Sequence, residues 1–360
     1  MRVLWINHRC PKHPQAGGAE EYVFQISRRL VKMGHEVTLL AEKPSSLPEH
    51  EVIDGVEIVR KGGFLTLHLW APLYVAKHSR EYDVIIDNVA HVFPFYSSKF
   101  TFKPTIAVVH HVNGKAINRV MPQPLHFLGI AAEKSLPHMY RSFIAVSRST
   151  EEDLINLGVN PDRISVVYNG VDHEVYKPGE KSERPLVLWL NRFVKYKNPD
   201  HAVRAFSIVK KKIPEALFVM AGDGPERPRA ERLAKQLGVE VEFVGKISVR
   251  RKVELLQRAW VCVYTSEIEG WGLVALEAAA SGTPCVGYAV GGLRESIIDG
   301  VTGFLARPGD IGDLANKIVR ILNNAELLKR LTENAFRYAQ NFDWNNSAER
   351  FLEVINSVTQ

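Results

Sequence analysis

Two carboxylates, Glu269 and Glu277, bracket a glycine-rich turn that leads into a short apolar run. Gly270 and Gly272 permit tight backbone geometry, and the run 273–276 is typical of the start of a buried helix. A helix N-terminus presents unpaired N–H groups and the positive end of the helix dipole, so it binds phosphate readily. Because a carboxylate repels phosphate, the two glutamates suit neutral hydroxyl groups on either side of it.

The same pattern has a second interpretation that needs no ligand. The helix dipole favours an acidic residue near the N-terminus, and Glu277 would then be an exposed side chain one turn into the helix. Short motifs of this kind also recur by chance. The following residues favour the ligand interpretation, because Gly282 and Pro284 end the helix and the run 285–287 begins a short buried strand.

This series of residues resembles the C-terminal half of the retaining GT-B glycosyltransferases of family 4, whose motif is EGFGLxxLEAxAxGxPV. Trp271 stands in place of the usual phenylalanine and Cys285 in place of the usual valine. The resemblance implies an α/β protein of GT-B fold, with two Rossmann-like doubly wound parallel-sheet domains facing each other across a cleft. It also implies a retaining enzyme that moves a hexose from a nucleotide diphosphate sugar, GDP-mannose or a UDP-hexose, to a hydroxyl acceptor that is lipid-linked or anionic in some members.

Two basic residues match the family pattern GRLxxEKN. Arg192 and Lys197 take the positions that hold the donor diphosphate in the family, while Asn191 and Tyr196 replace its glycine and glutamate. The leaving nucleoside diphosphate gains negative charge as the glycosidic bond breaks, and preorganised cations stabilise that transition state. Without the resemblance, Lys197 would be interpreted as an exposed loop lysine.

Two matches lie in the N-terminal half. The Gly17-Gly18 turn resembles the family's GGAE loop, which approaches the donor phosphates, although Gly-Gly turns are common by themselves. His110 best matches the family histidine that contacts the donor sugar, with His111 as the alternative. A lone histidine at a strand tip is more often structural.

The remaining donor-site assignments also follow from the resemblance. Glu269 is expected to contact the transferred sugar, and Glu277 the ribose. Two cations and the helix dipole replace a divalent ion, so the expectation is no metal and no cofactor besides the nucleotide-sugar co-substrate. The backbone groups expected to hold the phosphates and the nucleobase belong to Gly272, Leu273 and Val274, and to Gly245, Lys246 and Ile247.

A chain of 360 residues is long enough for two domains, each with its own core. Residues 1–175 are predicted as the acceptor domain, 176–185 as the linker, 186–340 as the donor domain, and 341–360 as a helix that packs back toward the first domain. The predicted parallel strands are 3–6, 36–40, 84–86, 105–109 and 143–146 in the first domain, and 186–190, 216–220, 241–244 and 261–264 in the second.

The formal net charge of +6 is concentrated in one part of the chain. The window 61–148 holds ten Lys or Arg against four Asp or Glu, together with seven histidines and several aromatic clusters. A basic face of this kind is typical of contact with an anionic membrane or a phosphorylated acceptor, and the alternative is a solvated basic face over core aromatics. No nucleic-acid motif is present.

Other features predict where the protein works. No apolar run reaches the roughly 18 residues that span a bilayer, and the N-terminus has the pattern of a strand. The expectation is a cytoplasmic protein, either free or peripheral on the cytoplasmic face of the membrane, that is a monomer or a weak oligomer. Cys10, Cys262 and Cys285 have no metal-ligand spacing.

Two other classes of protein stay open. A nucleotide-sugar 2-epimerase shares the twin-domain architecture, and a catalytically silent sugar-nucleotide binder could keep the fold. A dehydrogenase is disfavoured because the Gly-Gly turn after the first strand lacks the GxGxxG spacing.

Overall fold

A computed structural model of the chain describes residues 1–114, 117, 121 and 124–359. It consists of two compact α/β units, Met1–Gly170 with Trp344–Gln360, and Val171–Asp343. The segment 176–185, predicted as the linker, lies inside the second unit, and residues 344–360 belong to the first. Lys115 and Arg119 of the basic window lie outside the described residues.

The strands and helices below are numbered along the chain, within the residues that the structure describes. The strands are β1 Arg2–Ile6, β2 Glu36–Ala41, β3 His50–Ile53, β4 Val56–Arg60, β5 Val84–Val89, β6 Thr105–Val109, β7 Ser142–Ala145, β8 Ile164–Val166, β9 Leu186–Leu190, β10 Leu217–Ala221, β11 Glu242–Gly245, β12 Val261–Tyr264, β13 Cys285–Tyr288 and β14 Gly303–Ala306. The α-helices are α1 Gly18–Lys32, α2 Leu67–His78, α3 His126–Met139, α4 Arg148–Asn156, α5 Pro199–Lys212, α6 Arg227–Gln236, α7 Val249–Arg258, α8 Leu273–Ala280, α9 Leu293–Ser296, α10 Ile311–Leu322, α11 Ala325–Ala339 and α12 Trp344–Thr359.

The predicted α/β class with parallel sheets is confirmed in both units. Over the described residues, the first unit has an eight-stranded sheet of order β3-β4-β2-β1-β5-β6-β7-β8, and the second a six-stranded sheet of order β11-β10-β9-β12-β13-β14. The pairings are parallel except between β3 and β4. The strand order reverses between β1 and β5 in the first sheet and between β9 and β12 in the second, and ligands of doubly wound folds bind at such reversals.

Every predicted strand is present, and β6, β9 and β12 have the predicted bounds. The strands β3, β4, β8 and β14 escaped prediction because each is short. Strands β3 and β4 form an antiparallel hairpin, and the two residues of its turn were a local signal in the sequence. Asp54 and Gly55 both have positive φ (48° and 81°), as a two-residue type I′ turn requires.

The last helix belongs to the core of the first unit. Buried Phe351 of α12 stacks on Trp5 of β1 with ring centroids 4.9 Å apart. Tyr22 of α1 meets Trp344 and Phe351 edge-on. These aromatic contacts join the N-terminal and C-terminal ends of the chain in one unit. None of the helices in the described part of the chain has the length and apolar character needed to cross a membrane.

Candidate active site

The residues of the second unit that were predicted to hold the donor lie at one edge of its sheet. The carboxyl ends of parallel strands lie at a common edge, so the loops after β9 and β12 lie side by side, and the loop after β11 lies at the same edge beyond β10. The loop after β9 carries Arg192 and Lys197, and the loop after β12 carries Glu269 and Gly272. These two strands are the neighbours between which the strand order reverses. The assignments made from sequence therefore meet at the position where this kind of sheet binds ligands.

Tyr196 connects the two predicted cations. Its hydroxyl accepts a hydrogen bond of 2.7 Å from the guanidinium of exposed Arg192. Its ring lies 5.2 Å from Nζ of Lys197, within reach of a cation–π contact. Residues Lys195–Lys197 form one 3₁₀ turn, and Asn198 has a left-handed φ of 43° before Pro199 begins α5. The tyrosine thus occupies the place of the family glutamate and contacts both basic side chains.

Lys197 and Glu269 form a buried ion pair. Nζ of Lys197 lies 2.6 Å from Oε1 of Glu269, and Ser266 donates to the same oxygen at 3.3 Å. Thr265 donates to the Lys197 carbonyl at 2.6 Å and so fixes the lysine backbone. The sequence assigned this lysine and this glutamate to different parts of the donor, whereas the structure places them in direct contact. The interpretation of Lys197 as an exposed loop residue is wrong, because its side chain is buried.

A sharp turn before α8 presents the helix N-terminus. Gly272 has a φ of 87° and accepts the first hydrogen bond of the helix, from the N–H of Ala275 at 2.8 Å. The N–H groups of Leu273 and Val274 precede that bond and have no intrahelical acceptor, as at any helix start. Both residues are half-buried. This end of α8 can therefore donate to an anion.

Gly292 packs directly beneath that turn. Its N–H donates to the carbonyl of Glu269 at 2.8 Å. A Cβ at this position would lie 2.2 Å from the carbonyl oxygen of Gly270, and one at Gly291 would lie 2.1 Å from that of Glu269. The pair of glycines lets the loop after β13 brace the glutamate turn, which the sequence showed only as another turn.

Glu277 is buried rather than exposed, so the interpretation that needs no ligand is wrong on this point. The residue is 4% exposed, and its Oε1 accepts from Nζ of Lys252 on α7 at 2.7 Å. Its Oε2 is also buried and has no hydrogen-bond partner among the described residues. An unpaired buried acceptor costs about 1–3 kcal/mol, which favours a hydroxyl donor from a ligand.

The loop after β11 borders the same edge. Gly245 ends the strand with a φ of 69°, and its carbonyl accepts from the N–H of Gly222 at 2.8 Å. Lys246 is exposed and Ile247 half-buried. The neighbouring loop after β10 is locked to the Asn191–Phe193 backbone, since a Cβ at Gly222 would lie 1.9 Å from the Asn191 carbonyl oxygen. Gly245, Lys246 and Ile247 thus lie at the end of β11, beside the tightly packed loops after β9 and β10.

His110 lies in the first unit at the end of β6, held by a chain of amides. Its Nε2 is 2.9 Å from Oδ1 of Asn88, and Nδ2 of Asn88 donates to Oδ1 of Asn7 at 3.0 Å. Because Asn88 uses its amide group toward Asn7, it offers an acceptor to His110, so the ring carries its proton on Nε2. Burial, with smaller contributions from His111 and His91, lowers the pKa of His110 to about 3. The neutral ring leaves Nδ1 as an acceptor.

The glycine turn of the first unit contains an internal anion. Gly17 caps α1, and its N–H donates to the carboxylate of buried Glu20 at 2.7 Å. Gly18 is the first residue of the helix. A carboxylate already complements this helix N-terminus, so a phosphate would share the end of α1 with it.

Three histidines that no motif indicated cluster at the reversal point of the first sheet. His8 follows β1, and its Nε2 lies 3.0 Å from Nε2 of His68. Its ring meets His91 at 4.3 Å and half-exposed Phe64 at 4.9 Å between centroids. Burial, followed by the charges of His91, His68 and Arg9, lowers the pKa of His8 to about 2. Among the described residues there is no group of three or more His, Cys, Asp or Glu arranged to hold a metal ion.

Sequence reasoning missed several residues that support the site. Ser266 lies three residues before Glu269, so its position was a usable signal. No sequence signal distinguished Lys252, because its helix contains several basic residues. Asn88 reads as the interior of a buried strand, and only its contact with His110 shows a role.

Comparison with known proteins gives the same division of the chain. The family model "Glycosyltransferase Family 4" matches residues 16–175, and the model "Glycosyl transferases group 1" matches residues 172–338. A D-inositol 3-phosphate glycosyltransferase of Kribbella flavida is 30% identical over 97% of this chain and 93% of its own length. The enzyme of the same name from Frankia alni is 30% identical over 95% of each chain.

Solved structures agree on the fold. Sucrose-phosphate synthase from Thermosynechococcus elongatus superimposes with a TM-score of 0.85 at 24% identity, covering 99% of this chain and 98% of that one. The Anabaena protein HepE, solved with UDP and glucose, gives a TM-score of 0.80 at 20% identity over 99% of this chain and all of its own. The two family models match the two α/β units in turn, and a named glycosyltransferase is 30% identical along nearly the whole chain. The chain therefore belongs to glycosyltransferase family 4, has the GT-B fold and is a glycosyltransferase.

Proposed function

We propose that the enzyme moves a hexose from a nucleotide diphosphate sugar to a hydroxyl acceptor with retention of configuration. The observation that carries this proposal is the group formed by Arg192, Lys197 and Glu269 beside the N-terminus of α8. Two cations and a helix end suit a diphosphate, and a carboxylate beside them suits a sugar hydroxyl. Retention is the expectation of the family.

The two cations serve the leaving group. As the glycosidic bond breaks, negative charge grows on the diphosphate, and Arg192 and Lys197 stabilise it without reorganising. The N–H groups of Leu273 and Val274 add donors at the same end of the site. The contact with Tyr196 orders the exposed arginine before the donor binds. We propose that this charge does the work that a divalent ion does in other transferases.

The two glutamates serve hydroxyl groups. Oε1 of Glu269 already takes Lys197 and Ser266, so Oε2 is the oxygen that we assign to a hydroxyl of the transferred sugar. Glu277, with its Oε2 unpaired among the described residues, is assigned to the ribose. His110 is assigned a hydrogen bond from the sugar to its neutral Nδ1. Backbone groups at Gly17, Gly18, Gly245, Lys246 and Ile247 complete the proposed donor contacts.

The acceptor class is proposed from the relatives. The relatives named D-inositol 3-phosphate glycosyltransferase act, by their name, on a phosphorylated polyol, and this is the acceptor class in question. On the donor side, HepE was solved with UDP-glucose. A 2-epimerase is not favoured, because the curated relatives described above are named as transferases. Donor alone should therefore give neither epimer nor rapid release of free nucleotide, whereas donor with acceptor should give the glycoside.

A thermal-shift screen, which measures the change in melting temperature on ligand binding, would identify the donor. GDP-mannose, UDP-glucose and UDP-N-acetylglucosamine are tested in buffer with EDTA, since the proposal requires no metal. A donor at 100 times its dissociation constant should stabilise the folded protein by about 2.7 kcal/mol. Stabilisation that appears only after a divalent ion is added would contradict the metal-free part of the proposal.

Variants then test the constellation. Arg192→Ala and Lys197→Ala should each lower kcat/KM by roughly 10²–10³-fold, the usual effect of losing one preorganised donor to a developing anion. Lys195→Ala is the matched control, because this exposed lysine lies in the same 3₁₀ turn. The assignment fails if Arg192→Ala and Lys197→Ala retain full transfer, or if the control loses as much activity as they do.

A further inference from the structure

Helix α2 has apolar residues on both of its faces. The segment 62–76 contains no Asp, Glu, Lys or Arg. One face packs into the core of the first unit through Leu67, Ala71 and Val75. On the other side Leu65, in the turn before the helix, and Leu69 and Leu73 of the helix follow one another at intervals of four residues and are 78%, 68% and 62% exposed. The outer face of a helix on a globular protein normally carries polar and charged residues, so this stripe needs a partner.

Aromatic side chains extend the stripe. Trp70 is exposed on the flank of α2. The 3₁₀ turn Ser97–Lys99 packs against the helix, and the loop that follows exposes Phe100 and Phe102. The resulting surface is a row of leucines with three aromatic rings beside it. Tryptophan in particular favours the boundary between water and lipid.

Several exposed positive charges adjoin this surface along the chain. Lys77 and Arg80 follow the stripe, and Lys99 and Lys103 flank the two phenylalanines. The nearest acidic side chains along the chain are engaged elsewhere. Glu81 contacts the ring of His78 at 2.8 Å, and Asp83 accepts from the backbone N–H of Arg2 at 2.7 Å.

Helix α3 adds to the same side of the sheet. The crossovers from β4 to β5 and from β6 to β7 run in the same direction, so the right-handed rule places α2 and α3 on one face. Tyr96, in the loop after β5, hydrogen bonds to Ser135 of α3 at 3.1 Å. Phe127 and Leu128 of α3 are exposed. Both helices on this face of the sheet therefore expose apolar side chains.

We propose that this face, the outer surface of α2 with Trp70, Phe100 and Phe102, docks on an anionic lipid bilayer. The leucines enter the boundary between headgroups and acyl chains, and the lysines and Arg80 contact lipid phosphates. Docking also positions the ligand edge of the first unit, because Phe64 and His68 at the start of α2 touch His8 after β1. The inference goes beyond the proposed transfer reaction, which needs no membrane.

Flotation tests the apolar contact. The full chain is mixed with vesicles of equal parts phosphatidylglycerol and phosphatidylcholine, or of phosphatidylcholine alone, and should float with the anionic vesicles. Leu69→Ser and Leu73→Ser should each lower the partition coefficient about tenfold. Val249→Ser and Val301→Ser are the controls, because these exposed valines of the second unit should not affect flotation.

Charge reversal tests the electrostatic contact. Lys77→Glu with Arg80→Glu should lower binding to anionic vesicles at least about tenfold, and added salt should weaken binding of the unmodified protein. Lys211→Glu with Lys235→Glu makes the same charge change on exposed lysines of the second unit and should leave flotation intact.

Three outcomes overturn the proposal: no flotation of the unmodified chain, flotation that the leucine variants do not change, or a dimer in sedimentation that the leucine variants dissociate. The last would assign the face to a second copy of the chain. A cooperative thermal unfolding transition in each variant, without any ligand, shows that it is folded. Flotation requires no turnover, so a failed donor screen would remove the proposed function and leave this test standing.

Discussion

The buried amides of the first unit determine which ring nitrogen of His110 carries the proton and which one can meet a ligand. Nε2 faces an acceptor oxygen of Asn88, whose own amide group is held by Asn7. The neutral ring then offers only Nδ1 to a ligand, and Nδ1 can accept but cannot donate. Asn88 therefore acts as a positioning residue for the histidine.

Replacing Asn88 tests that role. Asn88→Ala removes the acceptor, so we expect His110 to lose its preference for the Nε2–H tautomer and kcat to fall about tenfold or more. The ring nitrogen chemical shifts of ¹⁵N-labelled protein report the tautomer, and an activity assay reports kcat. Asn88→Asp keeps an oxygen at the same place and should retain the tautomer. An alanine variant with an unchanged ring spectrum would remove Asn88 from this role.

At the scale of elements, the loop after β13 supports the glutamate turn by backbone contact. Gly292 donates to Glu269 and lies against Gly270 and Trp271. Its φ is −65°, which any residue adopts, so the requirement for glycine is steric alone. A side chain here would push the turn away from its position beside Lys197.

Gly292→Ala should therefore displace the turn. Its Cβ would lie 2.2 Å from the Gly270 carbonyl oxygen, and overpacking of this kind costs about 1–3 kcal/mol of unfolding free energy. Urea unfolding measures that loss, and titration with the donor should show affinity about tenfold weaker. The control is Gly312→Ala in α10, where the nearest atom is 3.4 Å away. Equal effects of the two substitutions would show that the loss is not specific to the turn.

At the scale of the whole molecule, the buried histidines set how stability depends on pH. Folding lowers the pKa of His8 to about 2 and that of His110 to about 3, chiefly through burial. In the unfolded chain both titrate near 6.5, so below that pH the unfolded state binds protons that the folded state does not. Stability should be independent of these two groups above about pH 6.5 and fall as the pH drops toward 3.

Urea unfolding from about pH 7.5 to about pH 5 measures this loss, above the range where most carboxylates titrate. Each histidine contributes a slope of up to roughly 1.4 kcal/mol per pH unit. His110→Gln should remove the contribution of one histidine from the slope of unfolding free energy against pH. His50→Gln, at the exposed start of β3, should leave it as it is. A slope that His110→Gln does not change would show that His110 is not kept neutral by folding.

Much of this protein is determined locally in the sequence. The strands β6, β9 and β12 are continuous apolar runs, and buried parallel strands need little else to be recognised. The glycine turn before α8 and the basic residues after β9 lie within short segments, so their resemblance to the family motifs could be recognised from the sequence. The parallel sheets then follow from the alternation of strands and helices.

The pairing of side chains was decided only by the tertiary structure. Lys197 and Glu269 are 72 residues apart, and Lys252 and Glu277 are 25 apart, so no local period connects them. They meet because parallel strands bring distant loops to a common edge of the sheet. The apolar run of α2 likewise left two interpretations open in the sequence, core or contact surface. Apolar content records what a residue prefers to contact, and only the packed fold shows which face the core has left exposed.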